Sequence, residues 1–240
     1  MSTPRFAVIA FSELRLIIRN KTVLVGATIF PLALGGYLIY SREVVGRSWP
    51  ELVLLQVVFF SLFTLYLTIT TTLAARRNDL FLKRLRSGES SDSAILLGLT
   101  TPVVVLLAVQ LGIVLIAMLI AGASAPEHPW LLAAGILGFV TVSVAVGILT
   151  GNITPSAASA QVTSLPFLAI AAGSAIWALL ADDWSIALLP GGALTILIHT
   201  AYGPTNTAPE QLALAAGSLV AWTIIPALIA YKTFRWEPRR

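Results

Sequence analysis

Few residues in this sequence could do chemistry. Ser174, in the segment AAGSAIW, could act as a nucleophile if a histidine accepted its proton, and His199 follows it along the chain. The G-x-S-x-G motif of serine hydrolases is absent. Small hydroxylated residues also let membrane helices pack closely, so we expect Ser174 to be a packing residue. An intramembrane serine hydrolase stays as an alternative.

Motifs for metal and nucleotide chemistry are missing. The chain has no cysteine, and its two histidines, His128 and His199, are far apart in sequence and form no H-E-x-x-H motif. It also lacks the G-x-x-x-x-G-K-[ST] phosphate loop, so we expect no ATP hydrolysis by this chain itself. The sequence therefore predicts no catalytic, metal-binding or cofactor-binding residue.

A third set of polar residues lies within apolar segments. Hydroxyl side chains recur at spacings of three and four, which places them on one helical face. They could line a weakly polar transport path, or they could form hydrogen bonds between helices, and we favour the second interpretation. The candidate path residues are Ser61, Thr64, Thr68, Thr71, Gln110 and Gln161. The predicted spans contain no acidic residue, which disfavours an ion-coupled secondary transporter, although that alternative stays open.

The composition indicates an integral membrane protein. Of the 240 residues, 57% are hydrophobic and 11% are charged, whereas soluble domains are roughly 45–50% apolar and about 25% charged. The mean hydropathy is +0.89. The net charge of +4 comes from basic residues beside apolar runs, so it is explained by membrane orientation rather than by nucleic-acid binding.

Six apolar segments are long enough to cross a bilayer, which takes roughly 20 residues. They are residues 22–40, 52–75, 94–122, 130–150, 157–181 and 211–231. A further stretch, 185–203, is shorter and is interrupted by Pro190, Gly191 and Gly192. We therefore predict an all-α polytopic membrane protein in which residues 1–240 form a single transmembrane domain.

The distribution of Lys and Arg predicts the orientation of these spans, because cytoplasmic segments carry the excess of basic residues. With six spans, Arg42 and Arg47 are the only basic residues on the outer side. The stretch 185–203 is then an outer re-entrant segment. A seventh span would place YKTFRWEPRR outside and reduce the asymmetry. Both termini are therefore predicted to be cytoplasmic. The basic residues on that side are Arg5, Arg15, Arg19, Lys21, Arg76, Arg77, Lys83, Arg84, Arg86, Lys232, Arg235, Arg239 and Arg240.

The first residues, 1–21, form an amphipathic pattern. Apolar side chains alternate with four charged ones, Arg5, Glu13, Arg15 and Arg19. We expect a helix that lies in the cytoplasmic membrane interface. The alternative is a longer first span.

The polar segment 76–93 lies between two apolar spans. Leucine and phenylalanine alternate there with charged residues in RRNDLFLKRLRSGESS, a pattern that predicts a short amphipathic helix. The following SGESSDS ends it, and Ser91 or Asp92 can cap the next span. Anchoring to anionic lipid does not require the interleaved apolar residues. We therefore expect a docking surface for a partner.

The chain resembles the type-2 ABC transporter permeases, the six-span membrane subunits of ATP-driven exporters. LKRLRSGESSDSAILLG (82–98) is similar to that family's loop between spans two and three. LPFLAIAAGSAIWALLADDWSIALLPGGALTILIHTAYG (165–203) is similar to its span five and outer segment, with Gly173 and Pro190 at the matching positions. The ending FRWEPR (234–239) is also typical. Where the family often has an acidic residue and a glycine, this sequence has Asn78 and Leu80.

The resemblance implies a function and partners. The loop would be the coupling helix that docks on a separate ATPase subunit, which would bind ATP and Mg. A second copy, or a similar permease, would complete a dimer in the cell (plasma) membrane. The apolar spans suit export of a hydrophobic or amphipathic drug or lipid. The implied ATPase-contacting residues are Asp79, Leu80, Phe81, Leu82, Lys83, Arg84, Leu85, Arg86, Ser87, Gly88 and Glu89.

Overall fold

The protein is described here from a computed structural model, which describes residues 25–82, 91–181, 183–203 and 207–234 together with residues 12, 15, 19 and 236. Within these residues the fold is entirely helical. The helices, numbered in chain order, are α1 (Val25–Tyr40), α2 (Arg42–Val45), α3 (Trp49–Asn78), α4 (Asp92–Ile120), α5 (Pro129–Ile153), α6 (Ala160–Leu180), α7 (Pro190–Tyr202) and α8 (Pro209–Thr233).

Five of these helices, α3, α4, α5, α6 and α8, are long and apolar enough to span a membrane. They confirm the prediction of a membrane-embedded, all-helical protein. The predicted span 22–40 corresponds to α1, whose described part is apolar but shorter than the five.

Capping residues fix where two of the helices begin. α3 begins three residues before its predicted start, because the Ser48 hydroxyl accepts a hydrogen bond from the Glu51 N–H. Of the two predicted caps of α4, Ser91 and Asp92, the structure shows Ser91, whose hydroxyl accepts a hydrogen bond from the Ala94 N–H at 3.2 Å. α3 also continues three residues past its predicted end, to Asn78, so Arg76 and Arg77 belong to the helix.

The centre of the bundle is α3, in which 78% of the most apolar window is buried, against 33% for α4 and 22% for α8. The other helices pack around α3. α5 approaches it closely at Gly147 and Gly151, where an added Cβ would lie 3.2 Å from Ile69 and 3.0 Å from Leu73. These two glycines therefore act as the small residues that let membrane helices come together.

The chain between α6 and α8 turns back inside the bundle. After α6 a 3₁₀ helix, Trp184–Leu188, leads to the start of α7, where Gly191 packs against the middle of α6. α7 then runs back, and the Ala201 carbonyl near its end accepts a hydrogen bond from the His128 N–H, just before α5 begins. This segment thus starts and finishes near the same end of the bundle.

Candidate functional site

One end of the bundle holds the ends of α3, α5 and α8 and the starts of α4 and α6, and we call it the basic end. Here the guanidinium of Arg76 lies 5.2 Å from the centre of the Phe81 ring. Leu82 is only 1% exposed and belongs to the hydrophobic core, whereas Asp79 and Leu80 are exposed. Of the predicted coupling residues that the structure describes, these two therefore face outward. Lys83 to Glu89 lie outside the described residues.

Leu80 has an unusual backbone conformation, with φ of +57°. The left-handed region costs an ordinary residue about 1–2 kcal/mol relative to the right-handed helix, and glycine avoids most of this cost. It is the position at which the resembled family often has glycine. Leu80 is thus held in a strained backbone conformation, and 45% of its surface is exposed.

Arg77 is the largest fully buried side chain among the described residues, at 2% exposure. Its Nη1 donates to the carbonyl of Asn152 at 2.6 Å, and its Nη2 donates to the carbonyl of Thr154. Both acceptors lie at the end of α5, where carbonyls have no partner within the helix. In the sequence Arg77 is one of many basic residues that flank apolar spans, and no local pattern distinguishes it from Arg76.

The same carbonyl cluster joins two more helices. The side-chain amide of Asn152 donates to the carbonyl and hydroxyl oxygens of Thr233 at 3.0 and 3.1 Å, at the end of α8. The Thr154 and Thr163 hydroxyls lie 2.7 Å apart, and Thr163 is in the first turn of α6. We call Arg77, Asn152, Thr154, Thr163 and Thr233 the polar junction, because together they connect four helices.

Two of the candidate path residues meet in the interior. The Thr64 hydroxyl lies 2.9 Å from the Ala27 carbonyl and 2.8 Å from Gln110 Oε1, and Gln110 Nε2 donates to the same carbonyl at 2.7 Å. Ala27 and Thr64 lie in π-helical turns, Val25–Ile29 and Ser61–Tyr66. This cluster joins α1, α3 and α4, and its polar groups are used for hydrogen bonds between helices.

The other candidate path residues do not form one surface. Ser61 and Thr68 are buried on α3, and the Thr71 hydroxyl donates to the carbonyls of Leu67 and Thr68 in its own helix. Gln161 is exposed near the start of α6. In a single chain, Ser61 and Thr68 are therefore covered by the protein, while Thr71 bonds within its own helix and Gln161 faces outward.

Ser174 has a packing role in the fold. Its hydroxyl donates to the Ala171 carbonyl at 3.2 Å and accepts from the Gly191 N–H at 3.1 Å. His199 lies about 12 Å further along α7 from Gly191, at 1.5 Å per residue, and its Nε2 has no hydrogen-bond partner among the described residues. The structure does not bring Ser174 and His199 together.

The opposite end of the bundle, where α3 begins and α6 ends, carries acidic side chains. The backbone N–H of Ser185 donates to Asp183 Oδ1 at 2.9 Å, and this bond lowers the pKa of the Asp183 carboxyl. Asp183 is fully exposed to solvent, so it holds a negative charge at neutral pH. Of the predicted N-terminal interfacial residues, Arg15 and Arg19 are exposed, while Arg5 and Glu13 lie outside the described residues.

A cavity of about 580 Å³ opens at the basic end between α4, α5 and α8. Its walls combine aliphatic side chains with a carboxylate, two hydroxyls and three aromatic rings. The lining residues are Asp92, Ser93, Leu96, Ala145, Ile148, Ala227, Ala230, Tyr231, Phe234 and Trp236. Its volume lies within the 300–1,000 Å³ range of small-molecule sites.

Within the described part of the chain, no group of three or more His, Asp or Glu side chains could hold a metal ion. The chain matches no family model, no curated protein and no solved structure.

Proposed function

We propose that this chain is the permease subunit of an ABC exporter. It forms a membrane channel with a second copy or a similar permease, and a separate ATPase subunit supplies the energy. The observation that carries the proposal is the arrangement at the basic end. A strained, exposed Leu80 leads into the charged segment 83–90, and the polar junction connects the residues just before it to four helices.

The distribution of charge supports the orientation in this proposal. The basic end carries the Lys and Arg residues in the last turns of α3 and α8, which is typical of the cytoplasmic side, whereas Arg42 and Arg47 precede α3 at the opposite end. Both termini are then cytoplasmic, α1 completes six spans, and residues 1–21 form an interfacial helix. The segment 185–203 enters the membrane from the outer side and returns to it.

The cavity at the basic end supports an amphipathic substrate. Leu96, Ile148 and Phe234 offer apolar surface, while Asp92 and Ser93 offer polar groups at the start of α4. A molecule with an apolar body and a polar head satisfies both kinds of surface. The proposed cargo is therefore a hydrophobic or amphipathic drug or lipid.

The proposal is tested by affinity purification of the tagged, full-length chain from mild detergent, followed by mass spectrometry. We expect a chain with a Walker A phosphate loop to co-purify in a fixed ratio, and to be lost when Leu80 and Phe81 are both replaced by Asp. Transport by the purified chain alone, driven by an ion gradient without ATP, would contradict the proposal and favour a secondary transporter.

A further inference from the structure

Arg77 is in the last turn of α3, where a movement of the chain that follows α3 would first reach the bundle. The Leu80 N–H donates to the Arg77 carbonyl at 3.0 Å, so the exposed part of the loop is bonded directly to this residue. Two residues after Leu80, the side chain of Leu82 is buried in the core. A force on the segment after Asn78 therefore acts on the last turn of α3.

The link from Arg77 to α5 is stiff. A guanidinium has a planar fork of donors that can hold two carbonyls at once, and it holds those of Asn152 and Thr154. These carbonyls also carry the negative end of the α5 helix dipole. A buried guanidinium that lost both acceptors would remain an uncompensated charge, so we expect the bonds to persist while the helices move.

The polar junction extends this link to α6 and α8 through Thr163 and Thr233. Thr233 directly precedes Phe234, which lines the cavity at the basic end. A displacement of Arg77 would therefore shift one wall of the cavity together with the ends of three helices.

We propose that Arg77 is a positioning residue that transmits movement of the loop to α5, α6 and α8. This inference rests on the proposed function for its role in transport. The geometric part, that Arg77 holds the ends of these helices as one unit, concerns the chain alone.

The test uses Arg77→Lys, which keeps the charge but cannot hold both carbonyls in the same way. The neighbouring Arg76→Lys is the matched control, and Thr163→Val is a milder change in the same junction. In the complex with its ATPase, we expect Arg77→Lys to keep co-purification and basal ATP hydrolysis. Substrate-stimulated hydrolysis should fall about tenfold, the factor expected for one lost charged hydrogen bond. Thr163→Val should reduce it about twofold, since a neutral bond contributes less.

A second measurement does not need the ATPase. Spin labels at Asn78→Cys and Ala157→Cys, both exposed positions in a chain without native cysteine, report the distance between the end of α3 and the α5–α6 connection. We expect a single narrow distribution of distances in the labelled chain with Arg77 unchanged and in the Arg76→Lys variant, and a broad distribution in the Arg77→Lys variant.

Three results decide between the explanations. Undiminished stimulation in Arg77→Lys would overturn the inference. The inference would also be overturned if Arg77→Lys lowered the unfolding temperature but, below that temperature, kept the wild-type stimulation and the wild-type distances. Arg77 would then have a structural role only. If no ATPase binds the wild-type chain, the proposed function fails, while the distance distributions still decide whether Arg77 holds the junction together.

Discussion

The backbone N–H of Gly191 donates to the hydroxyl oxygen of Ser174 at 3.1 Å, and at this contact α7 has no room for a side chain. A Cβ on Gly191 would lie 2.0 Å from the Ala171 carbonyl oxygen, and one on Gly192 would lie 2.2 Å from the Ile186 carbonyl oxygen. Both obstacles are backbone atoms, which cannot turn aside as a flexible side chain can. The position of α7 within the bundle therefore depends on these two glycines.

We expect Gly191→Ala to destabilise the protein by at least the ~1–3 kcal/mol typical of an overpacked core. The control is Gly173→Ala, where a Cβ meets nothing within 4 Å and alanine favours the helix. Unfolding in detergent, followed by tryptophan fluorescence, measures both. An unfolding midpoint for Gly191→Ala equal to that of Gly173→Ala would contradict the described contact.

The cluster around the Ala27 carbonyl predicts coupling between Thr64 and Gln110. Each side chain contacts the same carbonyl, and hydrogen bonds between membrane helices average about 0.6 kcal/mol, with a maximum near 1.7. Thr64→Val and Gln110→Leu should each destabilise, and the double variant should lose less than the sum, because the two residues share a network. Thr71→Val, which removes bonds within one helix only, should be close to neutral. Strict additivity of Thr64→Val and Gln110→Leu would argue against a shared cluster.

Replacing Leu80 should change stability and partner binding in opposite directions. Leu80→Gly removes the cost of the left-handed conformation and should raise the free energy of unfolding by about 1 kcal/mol. It also removes an exposed apolar side chain, so binding of the proposed ATPase subunit should weaken. Leu80→Asn, which tolerates the same conformation and is polar, should show both effects to a similar degree. If Leu80→Gly destabilised the protein, φ at this position would differ from +57°.

The orientation can be tested with single introduced cysteines, since the native chain has none. A membrane-impermeant maleimide added outside intact cells should label Ser124→Cys, which is exposed between α4 and α5. Ala157→Cys and Pro238→Cys should react only after the membrane is opened. External labelling at residue 238 would contradict cytoplasmic termini and the count of six spans.

Much of the fold follows from the sequence, because hydropathy and caps are local signals. The five long helices begin and end within three residues of the predicted apolar runs, and Ser91 caps α4 as its residue type predicts. The break at Pro190, Gly191 and Gly192 was also visible. The physical reason for this break could not be predicted from the sequence, because the close approach to Ala171 and Ile186 exists only in the folded chain.

The features of the site that the sequence missed depend on contacts between distant segments. Arg77 and Arg76 are the same residue type at neighbouring positions, and only the location of the α5 end makes Arg77 buried while Arg76 is half-buried. Leu80 could not be assigned a left-handed conformation, since leucine rarely adopts it. The stripe of Ser61, Thr64, Thr68 and Thr71 could serve either a path or packing. In the folded chain, Thr64 forms hydrogen bonds between helices.

The central claim is that the loop after α3 couples this chain to an ATPase. Its most direct test is substrate-stimulated ATP hydrolysis by the reconstituted complex carrying Lys83→Glu, Arg84→Glu and Arg86→Glu together. The matched control reverses the same number of charges in the C-terminal segment, with Arg235→Glu, Arg239→Glu and Arg240→Glu. We predict that the loop variant loses stimulation and transport, while the control keeps both. Full stimulated hydrolysis and transport in the loop variant would contradict the assignment.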